Sequence, residues 1–273
     1  MNKDSIKKIL IVLPSLGPGG AERLAVSLAN DWIAQGYQVE FVIISSSYAL
    51  KEKQGKFSDL IGQDILIHDL NITKLRDAFM PLCKYFKKSR PDIIWVGLWP
   101  LTAIAITSWI LAGRIGRIYT IDHNQLSIST VRELNIPKSI VKTVTRCMYP
   151  FANGNMAVSE GVKRDMVNLT QLNPDKIKVI YNPAAHGIGR STNISSTTKN
   201  KLWGDNPGKC ILSVGAFKAQ KNFKLLIEAF ALLAEEQTST LIILGEGPLR
   251  SELEDQIKNL GLVDRIILPG FTD

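Results

Sequence analysis

The sequence predicts an α/β protein built on doubly wound parallel sheets, with one complete Rossmann-like domain over residues 1–185 and an incomplete second one over 208–273. Three observations carry this. Short apolar runs alternate with helical patterns, as in strand–helix–strand units. The alternation breaks between Pro183 and Gly208, where Ser, Thr, Asn and Gly dominate, and then restarts. Glycine-rich turns follow several of the expected strands, at the strand ends where ligands of such sheets bind.

Each element has its own reason. Runs at Ile9–Leu13, Val39–Ile44, Ile65–Ile67, Ile93–Val96, Arg117–Ile121, Met156–Val158 and Lys178–Tyr181 are short and apolar enough to be strands buried on both faces. After Thr73, the residues Leu75, Phe79, Leu82 and Phe86 recur at helical spacing and share one face. The stretch Ile93 to Gly113 carries no charge and approaches the length of a membrane span. Pro100 divides it, so it reads as a strand ending at Gly97 followed by a buried helix over Leu101–Leu111. Ser159, ahead of Glu160-Gly161-Val162-Lys163, is a helix N-cap whose hydroxyl can accept a free first-turn amide. Beyond a linker at 186–207 come strand Cys210–Val214, helix Asn222–Glu236, strand Thr240–Leu244, helix Leu249–Leu260 and strand Arg265–Leu268.

Composition narrows the function classes. The chain of 273 residues is 45% apolar, which excludes disorder, and its 33 basic against 25 acidic residues give a net charge of +8. That charge favours an anionic partner: a phosphorylated ligand, an anionic membrane surface or nucleic acid. Nucleic acid is set aside because no recognition motif accompanies the charge. Cys83, Cys147 and Cys210 are odd in number and lack zinc-ligand spacing, so a reducing compartment and a cytoplasmic location are expected. The short apolar run after the first Lys residues reads as a strand, not a signal peptide.

Four turns carry chemistry. Leu16-Gly17-Pro18-Gly19-Gly20-Ala21-Glu22-Arg23 joins the first strand to the first helix, where glycines let backbone amides approach an anion and the helix end adds positive charge. The third glycine of a dinucleotide fingerprint is replaced by Glu22, and no Lys-Ser/Thr of a P-loop follows. Val214-Gly215-Ala216-Phe217-Lys218-Ala219-Gln220-Lys221-Asn222 repeats the strand–glycine–helix arrangement and adds two lysines suited to a diphosphate. In Leu244-Gly245-Glu246-Gly247-Pro248, Glu246 can accept from a ribose or sugar hydroxyl. His123 follows the strand Arg117–Ile121, so it too falls at the carboxyl edge, within reach of a hydroxyl or phosphate. Basic residues gather at Lys138, Lys142 and Arg146, spaced by four, and at Lys84, Lys87, Lys88 and Arg90. Either group suits an anionic membrane surface or a solvated helix face.

Together these motifs resemble the retaining glycosyltransferases of family 4, with the GT-B fold. The residues that carry the resemblance are Gly19-Gly20-Ala21-Glu22-Arg23, Val158-Ser159-Glu160-Gly161-Val162-Lys163 and Val179-Ile180-Tyr181-Asn182-Pro183. Later in the chain they are Ser213-Val214-Gly215, Gln220-Lys221-Asn222-Phe223, Gly245-Glu246-Gly247-Pro248-Leu249 and Pro269-Gly270-Phe271. The resemblance implies an acceptor-side N-terminal domain and a C-terminal domain that binds a nucleotide sugar, most commonly a UDP-sugar, without metal or other cofactor. It implies donor contacts from Gly215, Lys221, Gly245, Glu246 and Gly247, an acceptor or phosphate loop at Gly19 and Gly20, and a catalytic-side role for His123 near the transferred sugar. The acceptor would be a glycan or a lipid-linked glycan, in polysaccharide biosynthesis, with peripheral contact at the inner membrane face.

Two departures enter the expectation. Ala216 stands where the family commonly has Arg, and Lys218 is a point charge, not a bidentate fork. The family's paired glutamates lie beyond the equivalent of Gly270-Phe271, so the chain is expected to be truncated, to bind UDP or a UDP-sugar poorly, to show no turnover, and to leave Ile266-Ile267-Leu268 at or near an unpaired edge. The alternative from another class is an inactive fragment or split subunit that only binds an acceptor or partner. A nucleotide-sugar epimerase of the same fold is disfavoured by the Gly-Gly-Ala-Glu-Arg loop and the setting of Lys221.

Overall fold

The computed structural model describes residues 8–17, 19–45, 62, 65–183, 208–236 and 239–270. Pro18, the linker at 186–207, His186 and Phe271 lie outside the described residues. The chain divides into two compact units, Met1–His186 and Gly187–Asp273.

The first unit runs β1 (Lys8–Leu13), α1 (Gly20–Ala34), β2 (Gln38–Ile43), β3 (Leu66–Asp69), α2 (Phe79–Ser89), β4 (Ile93–Gly97), α3 (Leu101–Leu111) and β5 (Arg117–Asp122). It continues α4 (Leu126–Leu134), α5 (Lys138–Met148), β6 (Gly154–Ala157), α6 (Glu160–Thr170) and β7 (Ile177–Val179). The seven strands form one sheet in the order β3-β2-β1-β4-β5-β6-β7, and every pair is parallel. The order reverses between β1 and β4, and the crevice outside the carboxyl ends of the strands at that switch is where such sheets bind ligands.

Period-two alternation sends the strands' side chains to two cores. Leu10, Val12, Ile94 and Val96 pack with Leu82 and Phe86 of α2, Ile106 and Trp109 of α3, and Met166 of α6. Ile9, Ile11, Leu13 and Trp95 pack with Ala25, Val26 and Ala29 of α1. The uncharged stretch Ile93–Gly113 resolves into β4 and α3. That helix buries residues around most of its circumference because it lies between the sheet and its neighbouring helices, packing on α2 and α5. Ser108 donates to the carbonyls of Ile104 and Phe79, which satisfies its hydroxyl inside that core. Among the described residues, no helix is long and apolar enough to cross a membrane.

The second unit runs β8 (Lys209–Val214), α7 (Phe223–Glu236), β9 (Ser239–Leu244), α8 (Arg250–Asn259) and β10 (Ile266–Gly270), with the parallel order β10-β9-β8. Its core gathers Phe217, Phe223, Ile227, Phe230, Leu241, Ile243, Leu253 and Ile257. Arg265 ties the layers together by donating to the carbonyls of Ser239 and Ala234, with its guanidinium over the Phe230 ring. Each crossover steps the sheet in one direction, so among the described residues β8 and β10 are both edges. Ile266 of β10 is buried, and the greater apolar exposure falls on β8, at Leu212 (46%) and Val214 (68%). Cys83 is buried, Cys147 and Cys210 are exposed, and all three are unpaired.

Candidate functional site

The loops at the carboxyl edge of the first sheet bring together residues far apart in sequence. Gly97 ends β4, and a Cβ there would stand 3.2 Å from Ile121 Cγ2 and 3.5 Å from His123 Nε2. The His123 ring therefore sits against the end of β4. Leu98 follows with φ 66, a left-handed conformation uncommon for a bulky residue, and this turns the chain so that Trp99 faces the same edge. The Trp99 indole N–H and both ring nitrogens of His123 are buried and have no hydrogen-bond partner among the described residues. Buried polar groups are almost always paired, so three orphan nitrogens beside one cavity mark a place for a ligand.

That cavity, about 130 Å³, is bounded by Trp99, Asp122, His123, Ser129 and Glu133. Beneath it Asp122 is fully buried and accepts from the Tyr149 hydroxyl at 3.0 and 3.1 Å. Burial pushes the Asp122 carboxyl up to about 7, against the pull of the Tyr149 hydrogen bond, and the nearby Asp165 charge adds to the rise. Burial also pushes His123 down to about 4, so its ring is neutral at physiological pH and can both donate and accept. Trp95 holds the ring edge-on, with centroids 6.4 Å apart.

The Gly19-Gly20 loop stands at the same edge. Gly19 caps α1 with extended backbone and makes no side-chain hydrogen bond. A Cβ on it would collide with the Glu22 carboxylate, which folds back over the glycine. Glu22 in the first turn is favourable for the helix dipole. An anion at this loop would meet that carboxylate, so the geometry suits a hydroxyl better than a phosphate. Ser159 caps α6, its hydroxyl accepting from Val162 N at 3.2 Å, and Gly161 leaves room for the Gln125 side chain. On the α1 side of the sheet lies a larger apolar cavity, about 440 Å³, among Leu24, Leu28, Trp32, Trp95, Tyr119 and Met156.

In the second unit two loops are knitted together at the carboxyl edge. Gly215 N donates to Leu244 O at 2.9 Å, Phe217 N to Glu246 O at 2.8 Å and Leu249 N to Phe217 O at 3.1 Å. Gly245 has φ 148, and a Cβ on it would lie 2.0 Å from Gly215 O. A Cβ on Gly247 would lie 2.7–2.9 Å from the Phe217 backbone. Lys221 runs its stem past Gly215, with Cε and Cδ 3.4 and 3.5 Å from where a Cβ would stand, and the residue is exposed. Glu246, read from sequence as a hydroxyl acceptor, is bound by Arg250, which also donates to Leu268 O at 2.8 Å and pairs with Glu254 at 2.8 Å. Sequence reasoning missed Arg250, although its spacing of four from Glu246 on a helix start was a usable signal. It also missed Trp99, Asp122 and Tyr149. Among the described residues, no group of three or more His, Cys, Asp or Glu side chains could hold a metal ion.

Comparison with known proteins places this arrangement. A family model described as Glycosyltransferase Family 4 matches residues 18–185, and one described as Glycosyl transferases group 1 matches residues 196–273. The chain belongs to Glycosyltransferase Family 4, and its fold class is that of the GT-B glycosyltransferases. It is 28% identical, over 97% of its own length and 70% of the relative's, to a Campylobacter jejuni protein named N-acetylgalactosamine-N,N'-diacetylbacillosaminyl-diphospho-undecaprenol 4-alpha-N-acetylgalactosaminyltransferase. A second C. jejuni relative, an alpha-1,4-N-acetyl-D-galactosaminyltransferase named for a longer glycan on diphospho-undecaprenol, is 26% identical over 93% of this chain and 66% of its own length. Among solved structures, Anabaena HepE in complex with UDP-glucose superposes with a TM-score of 0.69 at 19% identity, covering 97% of this chain and 69% of that one.

Proposed function

We propose that this chain transfers a sugar from a UDP-sugar to a glycan or lipid-linked acceptor in cell-surface polysaccharide or glycan biosynthesis, with retention of configuration and without a metal or other cofactor. It would do so in the cytoplasm, at the inner face of the membrane. The observation that carries this reading is the cavity under the β4 and β5 ends, where the Trp99 N–H and the His123 nitrogens lack partners among the described residues. A neutral histidine, an indole donor and a rim carboxylate at Glu133 suit sugar hydroxyls and disfavour phosphate. In the second unit, Lys221 and the first amides of α7 would stabilise the departing diphosphate. The names of the C. jejuni relatives support an acceptor on diphospho-undecaprenol, and the HepE complex supports a UDP-sugar donor. The enzyme's contribution is then positioning and electrostatics more than covalent chemistry.

The reading of an inactive fragment or split subunit is not favoured, because family models match both units and the C. jejuni relative aligns along 97% of the chain. The test is transfer itself. The purified chain is incubated with UDP-N-acetylgalactosamine and a polyprenyl-diphosphate-linked glycan, and UDP release is followed. Acceptor-dependent release that drops by about tenfold or more in His123→Ala supports the reading. Acceptor-independent release, or the same rate in the variant, would count against it.

A further inference from the structure

The cavity beside His123 has two kinds of wall. Trp99 and His123 contribute three buried nitrogens without partners among the described residues, and Ser129 and Glu133 line it from α4. The indole N–H is a donor only, whereas the neutral His123 ring offers one donor and one acceptor. Leu98 and the buried Leu126 complete the lining with apolar surface. Two other polar side chains of the wall are already engaged. The Asp122 carboxyl accepts from the Tyr149 hydroxyl, and the Thr130 hydroxyl donates to Leu126 O. The volume, about 130 Å³, is close to the share that roughly four water molecules take in the liquid.

We propose that this cavity seats the acetamido substituent of an N-acetylated sugar, and that Trp99 is the residue that reads it. An acetamido group has about four non-hydrogen atoms, which matches the room available. Its carbonyl oxygen has lone pairs for the Trp99 and His123 N–H groups, and its own N–H can donate to Glu133 or Ser129. Its methyl suits the wall of Leu98 and Leu126. A hydroxyl in the same place would leave most of the space and the leucine wall unfilled. A whole pyranose with its hydroxyls is too large to enter. Water satisfies the nitrogens but gains nothing from the apolar wall. The inference rests on the proposed sugar transfer and names the class of sugar that site would take. The acetamido group could belong to the transferred sugar or to the acceptor sugar, and binding separates the two.

The test titrates matched probes into the purified chain and follows them by saturation-transfer NMR. One pair is methyl N-acetyl-α-galactosaminide against methyl α-galactoside, and the other is UDP-N-acetylgalactosamine against UDP-galactose. Within each pair the acetamido group replaces a hydroxyl and nothing else changes. At least one pair should favour its N-acetylated member by about tenfold or more. A preference in the glycosides assigns the group to the acceptor, and one confined to the nucleotide sugars assigns it to the donor. Trp99→Phe keeps an aromatic ring and removes the N–H, so it should cut that preference by about fivefold or more and leave the plain sugar's affinity unchanged. Ser129→Leu fills the cavity from α4 and should abolish the preference. Circular dichroism checks that both variants fold, and either one alone carries the test. Equal affinities within both pairs, a preference that neither substitution reduces, or no binding of any probe would overturn the inference. Acceptor-dependent transfer of plain and N-acetylated sugars at equal rates would also overturn it, while leaving the proposed function standing.

Discussion

Asp122 and His123 are chain neighbours on which burial acts in opposite directions. The Asp122 carboxyl is raised to about 7 and the His123 ring is lowered to about 4. In the unfolded chain an aspartate releases its proton near pH ~4, whereas the folded protein holds it to about 7. Folding stability from Asp122 is therefore present in full below the unfolded value and lost as pH rises through the folded one. His123 works the other way, its contribution growing as pH rises through its lowered value. Asp122→Asn removes the first titration and keeps the second. Between about pH 5 and about pH 8 its stability should gain on the wild type, by an amount on the order of 2 kcal/mol, in paired urea titrations. Parallel stability curves would show that Asp122 does not titrate across that range.

The elements meet through close backbone approaches, and the loops of the second unit show how little room they leave. A methyl group on Gly245 would stand 2.0 Å from Gly215 O in a backbone region disfavoured for side chains. Gly245→Ala should cost about 3 kcal/mol or more. Hydrogen exchange of the Lys209–Val214 and Ser239–Leu244 strands should speed up accordingly, and unchanged protection would contradict the packing described. Most strands and helices were legible because each buries an apolar run or stripe, and Leu101–Leu111 emerged with its expected ends. β6 shifted to Gly154–Ala157 because its first residues are held by polar and close contacts, invisible to apolar periodicity. Gly154 lies under the Tyr119 ring, and Thr120 donates to Asn155 across the pair at 2.8 Å. The helix expected from Leu75 begins instead with a 3-10 turn over Leu75–Ala78. The glycine turns and His123 were legible because their types and positions after strands are meaningful by themselves. The Asp122–Tyr149 pair and the placing of the buried Trp99 indole N–H beside His123 depend on residues that only the sheet order brings together.

At the scale of the molecule, the seven-stranded and three-stranded sheets both carry their glycine loops at carboxyl edges, matched by two family models along the chain. The first unit's cavity presents the Trp99 indole and the His123 ring, while the second unit's glycine loop presents Lys221. On the proposed function, the first would meet sugar hydroxyls and Lys221 the donor diphosphate. The most direct test is calorimetric titration of the chain and its Lys221→Ala variant with UDP and with uridine. A lysine on a phosphate makes a charge-assisted hydrogen bond, so the variant should bind UDP about tenfold or more weakly and uridine unchanged. Equal affinities of the variant and the wild type for UDP, or equal losses for UDP and uridine, would contradict the assignment of Lys221 to the diphosphate.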